Sequence, residues 1–237
     1  LHQWITRHPG DGMPEINSYE KLAGLLTGQP ATAPSYVYQI SQRDGEQAAA
    51  WLRQRQLLAG QFIVIAPGGG RNPGTDMPRK RWLPERFRYV IDRIPSDIPV
   101  LVLGADIDYA IVSEVCAATR AIPVTQLPLE IVAAVVAQAR AVLCNDSVIM
   151  HLAACFKIPT LALFGPTNPY LLAPPFPWVH TLWEPVECSP CYRQVLGGFP
   201  PCADYRCQKN LAAETVLRRL LDLTGSSDPK KTEILLG

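Results

Sequence analysis

The sequence lacks several features that would assign a protein class directly. No apolar run approaches the roughly 20 residues that a membrane-spanning helix needs. The first residues, LHQWITR, lack the apolar core of a signal peptide. The formal net charge is only +1 and there is no basic tail, so the composition gives no reason to expect a nucleic-acid partner. There is also no repeat of fixed period and no low-complexity tract. We therefore expect a soluble, cytoplasmic protein that does not bind nucleic acid.

The length and the opening of the chain bear on its domain organisation. At 237 residues the chain can form one substantial α/β domain with additional segments, or two small domains. It begins at Leu1 and soon enters the loop-like stretch HPGDG. We therefore expect the chain to be a fragment of a longer protein. We expect residues 1–60 to be an interdomain linker with docking helices, residues 61–224 to be the main domain, and residues 225–237 to be a polar tail.

Short apolar segments alternate with helical segments from residue 62 onward. The candidate strands are 62–66, 99–104, 122–125, 141–144, 160–164 and 179–183. Continuous apolar strands of this kind are typical of a parallel sheet that is covered on both faces. The alternation predicts an α/β fold with a doubly wound, Rossmann-like parallel sheet, in which ligands bind at the carboxyl ends of the strands. An NAD-dependent oxidoreductase on such a sheet would carry G-x-G-x-x-G after the first strand, and the sequence there reads PGGG.

The stretch NDSVIMH at 145–151 follows a candidate strand and begins a candidate helix. Asp146 or Ser147 can cap that helix, and the helix dipole then favours an anion at the turn. Ser147 and His151 are one helical turn apart and so share a face. These residue types predict a diphosphate site at this turn. The alternative from the heptad alone is an N-capped core helix with one satisfied histidine.

Four cysteines lie in a loop rich in Pro and Gly, at 188–207. Their pattern is C-x2-C followed by C-x4-C, and the residues are Cys188, Cys191, Cys202 and Cys207. Four thiolates can hold one tetrahedral zinc or iron ion, which would fix the loop without doing chemistry because no coordination position stays open. Unligated thiols are the main alternative, and disulfides are disfavoured in a reducing cytoplasm.

Five separated motifs occur together in one order. They are PGGG at 67–70, KRW at 80–82, NDS with His151 at 145–151, FGPT with Pro169 at 164–169, and CSPCY at 188–192. The ordered set resembles the ADP-heptose:lipopolysaccharide heptosyltransferases, glycosyltransferase family 9, over residues 62–223. The resemblance implies the carboxyl-terminal, donor-binding half of a two-domain GT-B enzyme. It also implies that an amino-terminal domain, carrying the general base, is missing from this chain.

The resemblance implies a role for each matched residue. Lys80 would contact the donor phosphates, Asp146 would bind hydroxyls of the transferred sugar, and His151 would add a hydrogen-bond donor to the diphosphate. We predict these three as the catalytic residues. The predicted donor-binding residues are Gly69, Gly70, Asp108, Leu127, Ser147 and Val148.

Three of these assignments have their own qualifications, and Trp82 of the KRW motif has a separate role. Asp108 would hold the ribose hydroxyls, with a helix N-cap as the alternative role and Asp106 as the competing residue. Leu127 falls where the family touches adenine chiefly through the backbone, and Trp82 is a packing anchor rather than a ligand contact. Val148 departs from the glycine that is usual in the family. Because a β-branched residue cannot adopt positive φ cheaply, we expect Val148 to restrict the approach of the phosphate.

The resemblance finally implies an activity and partners. We expect inverting transfer from an ADP-heptose-like donor to a lipopolysaccharide-core or related glycan, with no cofactor required for catalysis. Contact with the inner face of the bacterial inner membrane would be peripheral and would occur through the acceptor. Two alternatives stay open, a non-catalytic nucleotide-sugar-binding module with a degenerate pocket and a family member that acts on another acceptor such as protein.

Overall fold

A computed structural model of the chain describes residues 15–29, 36–69, 71–72, 75–192, 202 and 204–225. The strands are β1 (Ile63–Ala66), β2 (Arg71–Asn72), β3 (Thr75–Asp76), β4 (Val100–Leu103), β5 (Ile122–Val124), β6 (Ala141–Asn145), β7 (Thr160–Phe164) and β8 (Val179–Trp183). The helices are α1 (Glu15–Thr27), α2 (Gln42–Gln54), α3 (Pro84–Arg93), α4 (Tyr109–Cys116), α5 (Leu129–Val136), α6 (Val148–Cys155), α7 (Pro169–Leu172), α8 (Arg206–Lys209) and α9 (Ala213–Thr224). Two 3-10 turns span Pro78–Lys80 and Asp106–Asp108.

Six of the strands form one parallel sheet in the order β5-β4-β1-β6-β7-β8. β1 pairs with both β4 and β6, so Ile63 lies opposite Val100 on one side and Ala141 on the other. The chain therefore builds one half of the sheet outward from β1 and then returns to build the second half from β6. This order is that of a doubly wound sheet, and the predicted fold class is confirmed. Its topological switch point lies between β1 and β6, where such folds bind ligands.

The central strands are buried along their whole length because helices cover both faces. All residues of β1, β4, β6 and β7 are buried. α2, α5 and α6 contribute to the core on one face, and α3 and α9 contribute to the core on the other, together with α4. A strand covered on two faces needs a continuous apolar run, which is the pattern that the sequence shows.

The amino-terminal helices agree in part with the prediction. The segment predicted to carry docking helices contains α1 and α2, and the predicted strand at 179–183 is present as β8. α2 is capped by Ser41. The Ser41 hydroxyl oxygen accepts a bond from the Asp44 backbone N–H at 3.1 Å, because Ser41 has the extended backbone of a capping residue. Ala48 and Leu52 of α2 are buried in the same core as the sheet. The predicted domain boundary at residue 60 stays a prediction.

The short β2–β3 hairpin and helices α7 and α8 were not predicted from the sequence. Each is shorter than five residues, too short to give a periodic hydrophobic pattern. The predicted tail lies outside the described residues from residue 226 onward. Within the described part of the chain, no helix has both the length and the apolar character needed to cross a bilayer.

Candidate active site

Asn145, the last residue of β6, ties three segments together at the carboxyl edge of the sheet. Its side chain is fully buried. The Nδ2 group donates to the carbonyl oxygens of Pro67 at 2.8 Å and Gly68 at 3.0 Å, and Oδ1 accepts from the backbone N–H of Trp82 at 3.0 Å. The turn after β1 and the loop that carries Lys80 are thereby held against the end of β6.

Trp82 also holds this loop in place. Its ring is fully buried, lies edge-on to Phe87 at a centroid distance of 4.9 Å, and donates from Nε1 to the Leu211 carbonyl at 3.1 Å. The prediction that Trp82 is a packing anchor is confirmed. Lys80 therefore projects from a backbone that is held by buried contacts on both sides of the loop.

Lys80 and Asp146 form an ion pair at the switch point of the sheet. Lys80 Nζ lies 2.7 Å from Asp146 Oδ2, and the two side chains are only 16% and 7% exposed. Oδ2 nevertheless accepts no hydrogen bond of good angular geometry from the described residues, so the contact is an ion pair by distance alone. The ammonium group is held at the edge where an anionic ligand would need it, and Asp146 keeps unused acceptor capacity.

The glycine turn lies directly against the start of α6. Gly69 has φ +122, and a Cβ atom there would come within 3.1 Å of the Ser147 Cβ and 3.4 Å of the Asp146 carbonyl oxygen. Arg81 Nε donates to the Gly69 carbonyl at 2.9 Å, and Arg81 also pairs with Asp76 of β3. Only glycine fits this close approach. The predicted donor-binding residue Gly70 lies outside the described residues.

The start of α6 differs from the prediction in how it is capped. Ser147 is the N-cap by position, but its side chain accepts no bond from the helix, and the Asp146 carboxylate is paired with Lys80 instead. The expected side-chain cap is therefore wrong. Ser147 Oγ is buried and has no hydrogen-bond partner in the described part of the chain. This turn thus combines a helix dipole with an unused hydroxyl, a combination suited to an anion.

Val148 is the first residue of α6, and its side chain is 55% exposed. It is not among the non-glycine residues with positive φ, which are Gln56, Ala118, Lys157 and Tyr205. The expected restriction through positive φ is therefore wrong, since a helical backbone suits valine without strain. Only the bulk of the exposed side chain distinguishes this position from glycine.

His151 lies one turn further along α6, on the wall of a neighbouring cleft. Its ring stacks on Tyr36 at a centroid distance of 5.8 Å with an interplanar angle of 6°. The cleft has a volume of about 450 Å³. Its other lining residues are Ile16, Tyr19, Val37, Cys155, Leu171, Leu172 and Ala173. His151 thus borders both the start of α6 and a cavity lined mostly by aliphatic and aromatic residues.

Asp108 contacts the glycine turn from the side of β4. A Cβ atom on Gly68 would lie 2.7–2.8 Å from the Asp108 carboxylate atoms, so the two residues are in direct contact. The carboxylate does not cap α4. Its Oδ2 accepts instead from the Ala105 backbone N–H at 3.2 Å. The helix N-cap alternative for this side chain is therefore not the one observed.

Leu127 follows β5, the edge strand furthest from β6 on that side of the sheet. It is half-buried and packs against the core formed with α5 and α6. The structure thus brings together Gly69, Lys80, Asp146 and Ser147, and places Asp108 against the adjoining Gly68. Leu127 lies beyond the edge strand β5, and His151 lies one turn along α6.

Three functional candidates escaped the sequence analysis. Asn145 belongs to the NDS motif and Thr167 to the FGPT motif, but neither was given a role there. Thr167 and Gln208 are buried, with exposures of 2% and 1%, and Gln208 belongs to no motif. Gln208 Nε2 donates to the Arg79 carbonyl at 3.0 Å, across 129 positions of chain, and no local pattern could reveal that contact.

The four loop cysteines share one neighbourhood. Cys188 is exposed, Cys191 and Cys202 are half-buried and Cys207 is buried. Burial, and to a smaller extent the proximity of the three other thiols, raise the pKa of the Cys207 thiol to about 11. Within the described ranges, no three His, Cys, Asp or Glu side chains are arranged to hold a metal ion. The metal stays a prediction.

The loop is attached to the sheet next to the site. The backbone N–H groups of Cys191 and Tyr192 donate to the Pro166 carbonyl at 2.9 and 3.0 Å. Ser189 Oγ donates to the Gly165 carbonyl and accepts from Trp183 Nε1 at 3.0 Å. The start of the cysteine loop is therefore anchored on the turn that follows β7.

Comparison with known proteins identifies the family of this chain. The sequence profile of glycosyltransferase family 9 (heptosyltransferase) matches residues 2–196. The lipooligosaccharide heptosyltransferase 2 of Campylobacter jejuni is 32% identical over 87 residues, which cover 35% of this chain and 25% of that protein.

Two solved structures share the fold. The family 9 glycosyltransferase from Veillonella parvula superposes with a TM-score of 0.73 at 20% identity, covering 92% of this chain and 62% of that one. The E. coli ADP-heptose lps heptosyltransferase II has a TM-score of 0.63 at 20% identity, with coverage of 83% and 55%. This chain thus spans less than two thirds of each relative. The family match covers most of the chain, and the chain belongs to glycosyltransferase family 9, the heptosyltransferases.

Proposed function

We propose that this chain is the donor-binding half of a heptosyltransferase-like GT-B enzyme and binds an ADP-sugar at the carboxyl edge of its sheet. The observation that carries the proposal is the Lys80–Asp146 pair, set beside Gly69 and the start of α6. One cation, one carboxylate, a glycine turn and a helix N-terminus meet there at the switch point. That combination suits a diphosphate joined to a polyhydroxylated sugar.

Each part of the donor has a matching group. The diphosphate would lie against the start of α6, with Lys80 and the Ser147 hydroxyl as donors. Asp146 would accept from hydroxyls of the sugar, and Asp108, which contacts Gly68, would accept from the ribose diol. Leu127, beyond the end of β5, would cover the adenine. The name of the E. coli neighbour, an ADP-heptose heptosyltransferase, supports ADP-heptose as the donor class.

The reaction we propose is an inverting transfer. A hydroxyl oxygen of the acceptor forms a bond to the anomeric carbon while the bond from that carbon to the diphosphate oxygen breaks and ADP leaves. Lys80, His151 and the start of α6 stabilise the negative charge that grows on the leaving diphosphate. The acceptor proton passes to a general base that we place in the amino-terminal half of the enzyme.

We propose a lipopolysaccharide-core glycan, reached at the inner face of the bacterial inner membrane, as the acceptor. The support is the naming of both the C. jejuni and the E. coli relatives as heptosyltransferases of lipooligosaccharide or lipopolysaccharide. A protein acceptor is the competing choice within the same family. Neither choice changes the groups proposed for the donor.

We propose a structural zinc or iron ion for the four loop cysteines. The mutual effect of the thiols on the pKa of Cys207 supports their proximity. A metal held by Cys188, Cys191, Cys202 and Cys207 would fix the loop that is anchored on Pro166. Metal analysis of the purified chain tests this, and a stoichiometry near one that is lost in the Cys188→Ser variant is the expected result.

Calorimetric titration of the 237-residue chain with ADP, UDP and ADP-heptose tests the proposed function. We expect binding of ADP and ADP-heptose, weaker binding of UDP, and no transfer to a glycan acceptor by this chain alone. If the chain bound none of the three nucleotides, the result would favour the alternative of a non-catalytic module with a degenerate pocket. Turnover of ADP-heptose by the chain alone would contradict the placement of the general base.

A further inference from the structure

Buried side-chain oxygens without a hydrogen-bond partner are concentrated at one place in this fold. Over the described ranges there are four such atoms, Asp146 Oδ2, Ser147 Oγ, Thr167 Oγ1 and Gln208 Oε1. Native proteins rarely leave such atoms unpaired, because each one costs free energy unless a ligand or water satisfies it. The first two already belong to the proposed donor site. The other two, Thr167 and Gln208, have not been assigned a role.

Gln208 is connected to the Lys80 loop. Its Nε2 donates to the carbonyl of Arg79, the residue before Lys80, at 3.0 Å. Because a carbonyl can only accept, this bond fixes the orientation of the amide and leaves Oε1 as an acceptor without a donor. A Cβ atom on Gly165 would come within 2.6 Å of Nε2, so the amide lies between the Lys80 loop and the turn after β7.

Thr167 lies in that same turn, beside the end of β6. Asp146 N–H donates to the Leu163 carbonyl of β7 at 3.2 Å, which sets the two strand ends side by side. The turn at 165–167 is buried and is held by the bonds from the cysteine loop to Gly165 and Pro166. The Thr167 hydroxyl is therefore fixed in place and has not been used to stabilise the fold.

The chemistry of the unpaired atoms separates into two kinds. The diphosphate part of the site needs donors, which Lys80 and the start of α6 supply. Asp146 Oδ2 and Gln208 Oε1 are acceptors, and the Thr167 hydroxyl both donates and accepts. Acceptors such as Asp146 Oδ2 and Gln208 Oε1 suit the hydroxyl groups of a sugar and do not suit a phosphate. The Thr167 hydroxyl can donate to either group, and it lies in the turn that Gln208 contacts.

We infer that Thr167 and Gln208 bind hydroxyls of the transferred sugar and so determine which sugar the site accepts. The inference rests on the proposed function and extends it, because it assigns two residues to the sugar and none to the nucleotide. A site built to pair with sugar hydroxyls rejects a sugar that lacks them, since its buried polar atoms would then stay unpaired.

The test compares the dissociation constants of ADP and ADP-heptose in four proteins. Thr167→Val removes the hydroxyl with little change of shape, and Thr167→Ser keeps it. Thr160→Val is the matched control. Thr160 begins β7, the strand that leads into the Thr167 turn; it is equally buried and already donates to the Ile158 carbonyl at 2.8 Å. Thermal melting of each variant checks that it folds.

We expect Thr167→Val to weaken ADP-heptose binding by roughly tenfold relative to ADP binding, as for the loss of one or two hydrogen bonds. Thr167→Ser should bring the ratio of the ADP-heptose and ADP dissociation constants most of the way back to the wild-type value. Thr160→Val should leave that ratio unchanged. An unchanged ratio in Thr167→Val would overturn the inference and would mean that a buried water satisfies the hydroxyl. Failure of the wild-type chain to bind ADP would instead overturn the proposed function.

Gln208→Met provides a second measurement if Thr167→Val does not fold. It keeps the side-chain length and removes the unpaired oxygen. We expect the same relative loss of ADP-heptose binding, together with some loss of ADP binding because the Arg79 carbonyl is released. Equal losses for the two ligands would overturn the part of the inference that concerns Gln208.

Discussion

At the amino edge of the sheet, polar side chains are used to close the fold. Arg140, just before β6, donates from Nε to the Thr224 carbonyl at the end of α9 at 3.1 Å. Arg120, just before β5, donates to the carbonyls of Ile98 and Ile94 at 2.8 Å each, the second of which lies at the end of α3. The bonds to Thr224 and Ile94 satisfy carbonyls at helix ends, which have no partner within the helix.

At the carboxyl edge, four buried oxygens have no hydrogen-bond partner within the part of the chain that the structure describes, and one of them, Asp146 Oδ2, is ion-paired with Lys80. The two edges belong to the same strands and are covered by the same helices. Both edges contain stabilising hydrogen bonds, but among the described residues the buried oxygens that remain available to a ligand lie at the carboxyl edge. The predictions below alter one edge at a time.

The largest effect should come from Asn145→Ala, at the centre of the carboxyl edge. The change removes three buried hydrogen bonds, to Pro67, Gly68 and Trp82, and leaves their partners unsatisfied. We expect a loss of about 3 kcal/mol in the free energy of unfolding, measured by urea denaturation. ADP affinity should fall as well, because the glycine turn and the Lys80 loop are no longer held together.

Asn168→Ala is the matched control for that change. Asn168 is half-buried and caps the short helix α7 by accepting from the Tyr170 N–H at 2.9 Å. Loss of this cap should lower the free energy of unfolding by about 1 kcal/mol and leave ADP affinity unchanged. Equal destabilisation by the two variants would contradict the special position given to Asn145.

Arg140→Met alters the amino edge. It removes the donors to the Thr224 carbonyl and leaves the apolar stem of the side chain in place. We expect a loss of about 1 to 2 kcal/mol in the free energy of unfolding with no change in the dissociation constant of ADP. A parallel loss of ADP affinity would show that the two edges are not independent, and the comparison would fail.

The sheet could be predicted from the sequence because each central strand is a continuous apolar run that ends at a turn. Five strands and their order along the chain follow from that pattern, and β8 from a weaker one. The site could be predicted only where its residues are neighbours in the chain or belong to a family motif, as with Asp146, Ser147 and Lys80.

Other parts of the site depend on contacts that no local pattern contains. Gln208 reaches the Lys80 loop across 129 positions, and Asn145 reaches Trp82 across 63. The predicted side-chain cap of α6 was wrong because the Asp146 carboxylate is paired with Lys80, and this pairing is visible only in the folded chain. The backbone conformation of Val148 was likewise not predicted from the sequence, because it follows from the position of Val148 in α6.

Val148→Gly tests the remaining difference from the family pattern. Since Val148 has no positive φ and is largely exposed, glycine gains no conformational advantage there. We expect a loss of about 0.5 kcal/mol in stability and a change in ADP affinity of less than about threefold. A tenfold gain in affinity would show that the valine obstructs the phosphate after all, and Val148→Ala would separate side-chain bulk from backbone freedom.

The smallest effect should come from Glu214→Gln, in the first turn of α9. Its own backbone N–H and the Tyr89 hydroxyl hold the pKa of Glu214 below its ordinary value of 4.5. A lowered folded-state pKa means that the ionised carboxylate stabilises the fold above the ordinary value, and that this contribution is lost as the pH falls. The melting temperature of the wild type should exceed that of the variant slightly at pH 7, and the two should converge below pH 4. A difference that grows at low pH would contradict the assignment.

The proposed donor site requires a diphosphate to bind between Lys80 and the start of α6. The most direct measurement is the dissociation constant of ADP for the wild-type chain, Lys80→Met and Lys157→Met. Lys157 follows the opposite end of α6, near the Trp178 ring, and supplies a matched loss of charge. We predict that Lys80→Met weakens ADP binding by about tenfold or more and that Lys157→Met leaves it unchanged. Equal affinity of Lys80→Met and the wild type would contradict the account.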